Sequence, residues 1–259
     1  NTYRYDKEEG DVRTHKIAND SLQGDNLTQF LNDHLKAIAA YVKPGAPIYW
    51  AHDIRSNREF CDVLEANKYH VADTLIWRKN NASNWLTDYA KYYEPILYGW
   101  KTGAEHPWYA NTWCPNAFNL ADIDLMDERQ LRAMLRAQVT NYQEIKRVNT
   151  QEARMHPTVK PPQLIEYHLR NSSRANDIIY DGFAGSGSTL IACENTNRQA
   201  RCVEFEAKFV DVIINRWQQL TGQQAIRQDG VPWDLVTLEQ SIFDDAGQVD
   251  MQEILDGQD

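Results

Sequence analysis

The chain of 259 residues has no lysine or arginine after Arg227, no closely spaced cysteines and no long apolar run. Each absence narrows what it can be. Cys61, Cys114, Cys193 and Cys202 form no CxxC pair, which argues against a zinc site or a disulfide framework, so no metal is expected. A reducing, cytoplasmic setting is the natural one for such a chain. No segment approaches the ~20 apolar residues of a membrane span. The opening NTYRYDKEEGD is polar and does not read as a signal peptide. No membrane partner is expected. The missing basic residues leave nine acids from Asp229 to Asp259 unbalanced, and they account for most of the net charge of -10. The remainder is close to neutral, so whole-chain charge does not exclude a nucleic-acid partner. Residues 236–259 read as a solvated, disordered acidic tail.

What is present alternates between helical and strand patterns. NLTQFLNDHLKAIAAYV carries Leu27, Phe30, Leu31, Leu35, Ile38 and Val42 at helical spacing, with Asp25 or Asn26 as N-cap. KPGAP stops it and IYWA comes next as a buried strand. A short helix near Phe60, Val63 and Leu64 precedes two strand patterns, VADTLIW and PILYGW. The polar, aromatic segment between them is too long for a tight turn. From 101 to 155 the alternation fades, apart from one helical pattern, DERQLRAMLRAQV. Pro161 and Pro162 then suit the first turn of a helix. The expected fold is α/β, a mostly parallel, Rossmann-like sheet in one domain over 1–235, with 101–155 inserted at one edge.

The sharpest signal is DIIYDGFAGSGSTLIACENTNRQARCVEFE, residues 177–206: strand, glycine-rich turn, helix, strand. A phosphate-binding loop would need Gly-Lys-Ser/Thr, but Gly187-Ser188-Thr189 has no lysine. A dinucleotide loop would need a third glycine, where Leu190 stands. S-adenosylmethionine (AdoMet) fits better. It has no phosphate, and its ammonium and sulfonium suit the carboxylate of Asp181. The glycines admit close backbone approach, and a helix N-terminus favours the methionine carboxylate. Glu204, 23 residues beyond Asp181, closes the second strand and can accept hydrogen bonds from ribose hydroxyls. A ligand-free glycine turn is the bland alternative. Asp181, Gly-x-Gly and Glu204, each in its expected place, favour the ligand.

These residues resemble the amino-group DNA methyltransferases of the permuted type, in which the target-base block precedes the cofactor motif. The family loop typically reads Asp-Pro-Phe-x-Gly-Ser-Gly. Here it is Asp181-Gly182-Phe183-Ala184-Gly185-Ser186-Gly187, then Ser188, with Gly182 in place of the proline. The preceding His156-Pro157-Thr158-Val159-Lys160-Pro161 matches the family's cofactor-flanking segment, which implies that Thr158 and Lys160 line the cofactor cleft. Upstream, Trp77-Arg78-Lys79-Asn80, Asp88-Tyr89, Tyr93-Glu94-Pro95 and Leu97-Tyr98-Gly99 keep the family order, with Tyr93 replacing a histidine. The resemblance covers about residues 1–222. It implies AdoMet as cofactor, double-stranded DNA as partner, 101–155 as the target-recognition region, and a restriction-modification setting. A homodimer is also expected.

The family's catalytic signature, Asp/Asn/Ser-Pro-Pro-aromatic, is not found in the chain. The only Pro-Pro is Pro161-Pro162, inside the cofactor-flanking segment, and NTYRYD resembles the residues that come directly after the signature in relatives. The catalytic residues are therefore unknown from sequence, and the chain is expected to start just after that motif. The motif matters because an exocyclic base amine delocalises its lone pair into the ring; an acceptor pair at the amine restores its nucleophilicity and orients it. A flipped base also needs a stacking surface. Trp85, Tyr89 and Tyr93 are candidates for it, with Tyr92 beside them, and Lys79 and Asn80 join the base- or DNA-binding set. Arg78, Lys79, Lys91 and Lys101 are candidate phosphate contacts or simply a solvated basic face. His52-Asp53 reads as a polar pair at a strand end. The expected activity is methylation of adenine N6, with cytosine N4 second. The alternatives are a non-catalytic DNA- or partner-binding module and an AdoMet enzyme acting on RNA or a small molecule.

Overall fold

The computed structural model describes residues 21–79, 88, 90–110, 142–145 and 159–234. The helix expected at 127–139, the tail 236–259, Cys114 and His156 lie outside them. Helix α1 spans Gly24–Ile38. Its cap is Gln23, which makes no side-chain cap bond; the expected capping residue Asp25 instead lies in the first turn, where an acid favours the helix dipole. Leu31 and Leu35 are 2% exposed and pack with Phe60, Val63 and Leu64 of α2, Asn57–Ala66. The Asn67 amide then ties the two helices by donating to Asn32 Oδ1 at 2.6 Å and to the Val63 carbonyl at 2.8 Å.

Strands β1 (Pro47–Ala51), β2 (Tyr69–Arg78), β3 (Tyr93–Lys101) and β4 (Tyr142–Glu144) form one sheet in the order β1-β3-β2-β4. β3 lies antiparallel to both β1 and β2, with Leu97 opposite Trp50 and Thr74. This corrects the expectation of a mostly parallel sheet. β3 runs back along the strand that precedes it and pairs with it directly. β4 adds parallel to β2 at the far edge. It comes from within the segment read as an insertion, and it is held there by the buried Trp77 indole, which donates to the Ile145 carbonyl at 2.8 Å.

Helix α3, Pro162–Ser172, starts with Pro161 as its cap and Pro162 at the first position, where proline's missing N–H costs nothing. Leu164, 1% exposed, packs against Leu75, Trp77, Ile96 and Tyr98 of the four-stranded sheet. Further along the helix Leu169 packs into a second core with Ala192, Cys193, Ile179 and Ala200. α3 thus rests on both sheets. The second sheet is the parallel pair β5 (Ile178–Asp181) and β6 (Gln199–Cys202), joined through α4, Ser188–Asn195. Helix α5, Ala207–Thr221, closes over α4 with Phe209 and Ile213 buried. The Arg198 guanidinium pins the end of α3 to this unit, donating to the Ser173 carbonyl at 2.7 Å and to the Thr196 carbonyl at 2.5 Å.

Candidate cofactor site

The site is built where β5 and β6 end. Asp181 is the last residue of β5. Its Oδ1 accepts from the Phe183 amide at 2.9 Å and its Oδ2 from the Thr189 hydroxyl at 2.5 Å, so the carboxylate spans the turn from strand to helix. Glu204 lies two residues past the end of β6 rather than closing it. Its Oε2 accepts from the Gly185 amide at 2.7 Å and its Oε1 from the Glu206 amide at 2.9 Å. The strands are also stitched through their backbones: Val203 N–H donates to the Asp181 carbonyl at 2.8 Å and Ala184 N–H to the Val203 carbonyl at 3.0 Å. Both acids therefore hold one loop and present their remaining lone pairs beside it.

The loop needs its glycines. Gly187 has φ +79°, and a Cβ there would meet Ile213 of α5 at 3.0 Å. Gly185 also has positive φ, +54°. Ser186 and Ser188 are buried and face each other at 3.3 Å, and Ser188 Oγ donates to the Lys160 carbonyl at 2.6 Å. That bond ties the Lys160 backbone to the loop. Arg216 of α5 donates to the Ser186 carbonyl at 2.5 Å. Sequence reasoning missed Thr189 and Arg216. Thr189 ended a recognised pattern, whereas nothing near Arg216 in the chain signals its contact.

Around these polar groups the surface is apolar. Phe205, next to Glu204, is 83% exposed, and Val203 and Phe183 are about half exposed. Ala184 is buried beneath the turn. Large apolar side chains concentrated beside two carboxylates suit a ligand with a flat apolar ring and a cationic end. The residues present fit AdoMet on these grounds. Among the described residues no group of His, Cys, Asp and Glu is placed to hold a metal ion, and no helix is long and apolar enough to cross a membrane.

The residues expected to meet DNA divide. Tyr93 and Tyr92 remain exposed at the start of β3. Lys79 does not: it is 1% exposed and its ammonium lies 3.0 Å from Glu94 Oε1. It is not available to a phosphate, and this corrects its placement on a basic face. Lys101 is also engaged, donating to the Ala39 and Val42 carbonyls at 2.7 Å each, just past the end of α1. His52 and Asp53 behave as a strand-end polar pair: the imidazole bonds the Asn57 amide oxygen at 2.9 Å, and Asp53 caps a short turn through the Arg55 amide. Asn80, Trp85, Tyr89 and Thr158 lie outside the described residues.

Several known methyltransferases are similar to this chain. A type II methyltransferase of Lactococcus lactis subsp. cremoris, M2.LlaDCHI, is 22% identical over 210 residues, covering 77% of this chain and 72% of that protein. M.BglII of Bacillus subtilis is 35% identical over a shorter stretch of 77 residues, 30% of this chain and 21% of that protein. Among solved structures, the M1.HpyAVI complex with SAM superposes with a TM-score of 0.57 at 24% identity, covering 75% of this chain and 85% of the other. The cytosine-N4-specific PvuII DNA methyltransferase gives 0.52 at 15%, covering 76% and 74%. Both likenesses bear on the fold, an α/β methyltransferase sheet. Residues 2–216 match the sequence profile of the N6/N4 DNA methylases, and with most of its length inside that match, this chain belongs to the N6/N4 DNA methylase family, whose methyl donor is AdoMet.

Proposed function

We propose that the chain methylates an exocyclic amine of a base in double-stranded DNA, with adenine N6 as the target and cytosine N4 as the alternative, in a cytoplasmic restriction-modification setting. The observation that carries the reading is the pair of carboxylates, Asp181 and Glu204, bonded to one glycine turn at the ends of two parallel strands. AdoMet, when bound, supplies an electrophilic methyl group on sulfur. Asp181 would accept from its ammonium, the N-terminus of α4 would favour its carboxylate, and Glu204 would accept from its ribose hydroxyls. Phe183 and the turn from Ala184 to Ser188 wall the methionine end. Phe205 offers its exposed face to the adenine ring. Thr158 and Lys160 belong to the same cleft.

On the DNA side, Tyr93 with Trp85 and Tyr89 supplies stacking for a base turned out of the duplex. A two-ring base uses such a surface more fully than a one-ring base, which favours adenine. Asn80 stays in the base-binding set. Lys79 acts there only through its ion pair with Glu94. No group that binds the amine is assigned, because no Pro-Pro-aromatic signature occurs in residues 1–259. The test is tritiated methyl transfer from AdoMet to unmodified DNA, with mass spectrometry of the nucleosides afterwards. N6-methyladenine is the expected product. N4-methylcytosine overturns the choice of base, and methylation of RNA but not DNA overturns the substrate.

A further inference from the structure

Gly182 stands where relatives of this loop typically carry proline, and its own backbone does not explain why. Its φ is not among the positive ones, so the conformation itself admits other residues. The space around it does not. A Cβ built on Gly182 would lie 2.2 Å from Cε1 and 2.9 Å from Nε2 of His34, and 2.7 Å from the Tyr180 hydroxyl. The His34 ring, reaching over from α1, already occupies the place of a side chain at 182.

The imidazole is held from several sides. Its centroid is 4.6 Å from Phe183 and 5.9 Å from Tyr180, with the Tyr180 ring stacked at 24°. Trp50 of β1 lies 6.3 Å away on the sheet side. Phe30, one turn earlier on α1, adds a second contact to Phe183 at 5.8 Å. On its other side the same loop is bonded by Asp181 and Glu204. Residues 182–183 are thus clamped between a hydrogen-bonded face and an aromatic one.

We propose that His34 is a positioning residue for the cofactor loop: its ring, braced on Trp50, presses on Gly182 and Phe183 and sets the direction in which the loop leaves β5. The role rests on the reading that this loop holds AdoMet. Phe183 and the Asp181 carboxylate are adjacent to the clamp, so a shift at 182 moves the groups that meet the methionine end. Through Trp50 the position of the four-stranded sheet is passed to the cofactor loop. The two positions are coupled: a side chain at 182 has room only if the imidazole of His34 and the Tyr180 hydroxyl move aside, so glycine at 182 and the present placing of the His34 ring go together.

The test is a double-mutant cycle of Gly182→Ala and His34→Ala with two readouts, AdoMet affinity by calorimetry and Tm without ligand. Gly182→Ala alone displaces the ring and is expected to weaken AdoMet binding about tenfold and to lower Tm. His34→Ala alone unclamps Phe183 and weakens binding by a smaller factor. The double variant is expected to bind AdoMet more tightly, and to melt higher, than Gly182→Ala alone, because the clash with the ring is gone and only the Tyr180 hydroxyl still has to shift. Parental affinity and Tm in Gly182→Ala, or two effects that simply add, overturn the pairing. If the parent protein binds no AdoMet while the Tm cycle remains non-additive, the cofactor reading is what has failed and the positioning role falls with it. If AdoMet binds and only Tm shows the coupling, the pair is packing alone and positioning is overturned.

Discussion

The Lys79 ammonium sits 3.0 Å from the Glu94 carboxylate with its side chain 1% exposed, whereas Glu94 keeps about a third of its surface in water. The asymmetry decides which substitution hurts more. Glu94→Gln leaves a buried cation facing a neutral amide and is expected to lower stability by about 2–4 kcal/mol; Lys79→Met leaves a carboxylate that water can still reach and is expected to cost about half as much. Urea denaturation of the two variants checks the order. An equal or reversed order shows that the ion pair does not close this end of the sheet.

The same burial separates Lys79 from its neighbour in DNA binding. A cation already neutralised inside the protein releases no counterions from DNA. Lys79→Met is expected to leave the salt dependence of DNA affinity unchanged. Replacing the exposed Arg78 with alanine is expected to reduce the slope of log K against log salt by about 1 if Arg78 meets a phosphate. Anisotropy titrations at several salt concentrations read both slopes.

For the cofactor, Asp181→Ala removes a charge-assisted contact and two anchors of the turn at once. Calorimetry is expected to show at least a tenfold loss of AdoMet affinity, corresponding to about 1.5–3 kcal/mol. Thr189→Val breaks only the 2.5 Å anchor and keeps the charge, so its loss should be smaller. Equal losses in the two variants would mean that Asp181 serves the turn and not the ligand.

Acid sensitivity should trace to His168. Its ring is buried against Tyr49 at 4.4 Å, neither ring nitrogen has a partner among the described residues, and burial pushes its pKa down to about 4. The folded pKa lies below the unfolded value near 6.5, so the folded state binds fewer protons. Stability is complete above about pH 6.5 and is lost as pH falls toward 4, by ~3 kcal/mol in all. Burial lowers the His34 pKa as well, in the same sense. Urea midpoints at pH 7.5 and pH 5 should differ in the parent and lie closer together in His168→Phe, with the smaller His34 contribution remaining. A variant as acid-sensitive as the parent moves the cause elsewhere.

The acidic end invites a simpler measurement. Removing residues 236–259 takes away acids without bases and is expected to leave DNA affinity unchanged or to raise it, most visibly at low salt. Loss of DNA binding on truncation would make that segment a binding element.

How much of this was legible in the sequence depended on how far apart the partners lie. Asp181, the glycines and Glu204 were readable because one strand–turn–helix–strand unit places them in chain order. Pro162 at the start of α3 was readable because proline fixes its own φ. The fate of Lys79 was not: its partner is 15 residues away on the return strand, and a lysine beside an arginine at a strand end looks like a basic face until that strand is placed. The antiparallel setting of β3 was hidden for the same reason. His34 read only as one more residue of an amphipathic helix. Its contact with Phe183 appears only once α1 lies across a loop much later in the chain.

Helix α3 has a consequence for how the molecule breathes. Leu164 belongs to the large core beneath the four-stranded sheet, and Leu169 to a core whose buried members besides it are only Ala192 and Cys193 among the described residues. The cofactor loop rides on this smaller unit. Local opening should therefore begin there, exposing the amides of β5, α4 and β6 to exchange while the large sheet stays closed. A ligand that binds only the closed form suppresses such opening in proportion to its concentration over its Kd. Hydrogen exchange with and without AdoMet should slow most across 178–202 and least across β2 and β3, marking the methyl donor as a mechanical brace for the weaker half of the protein.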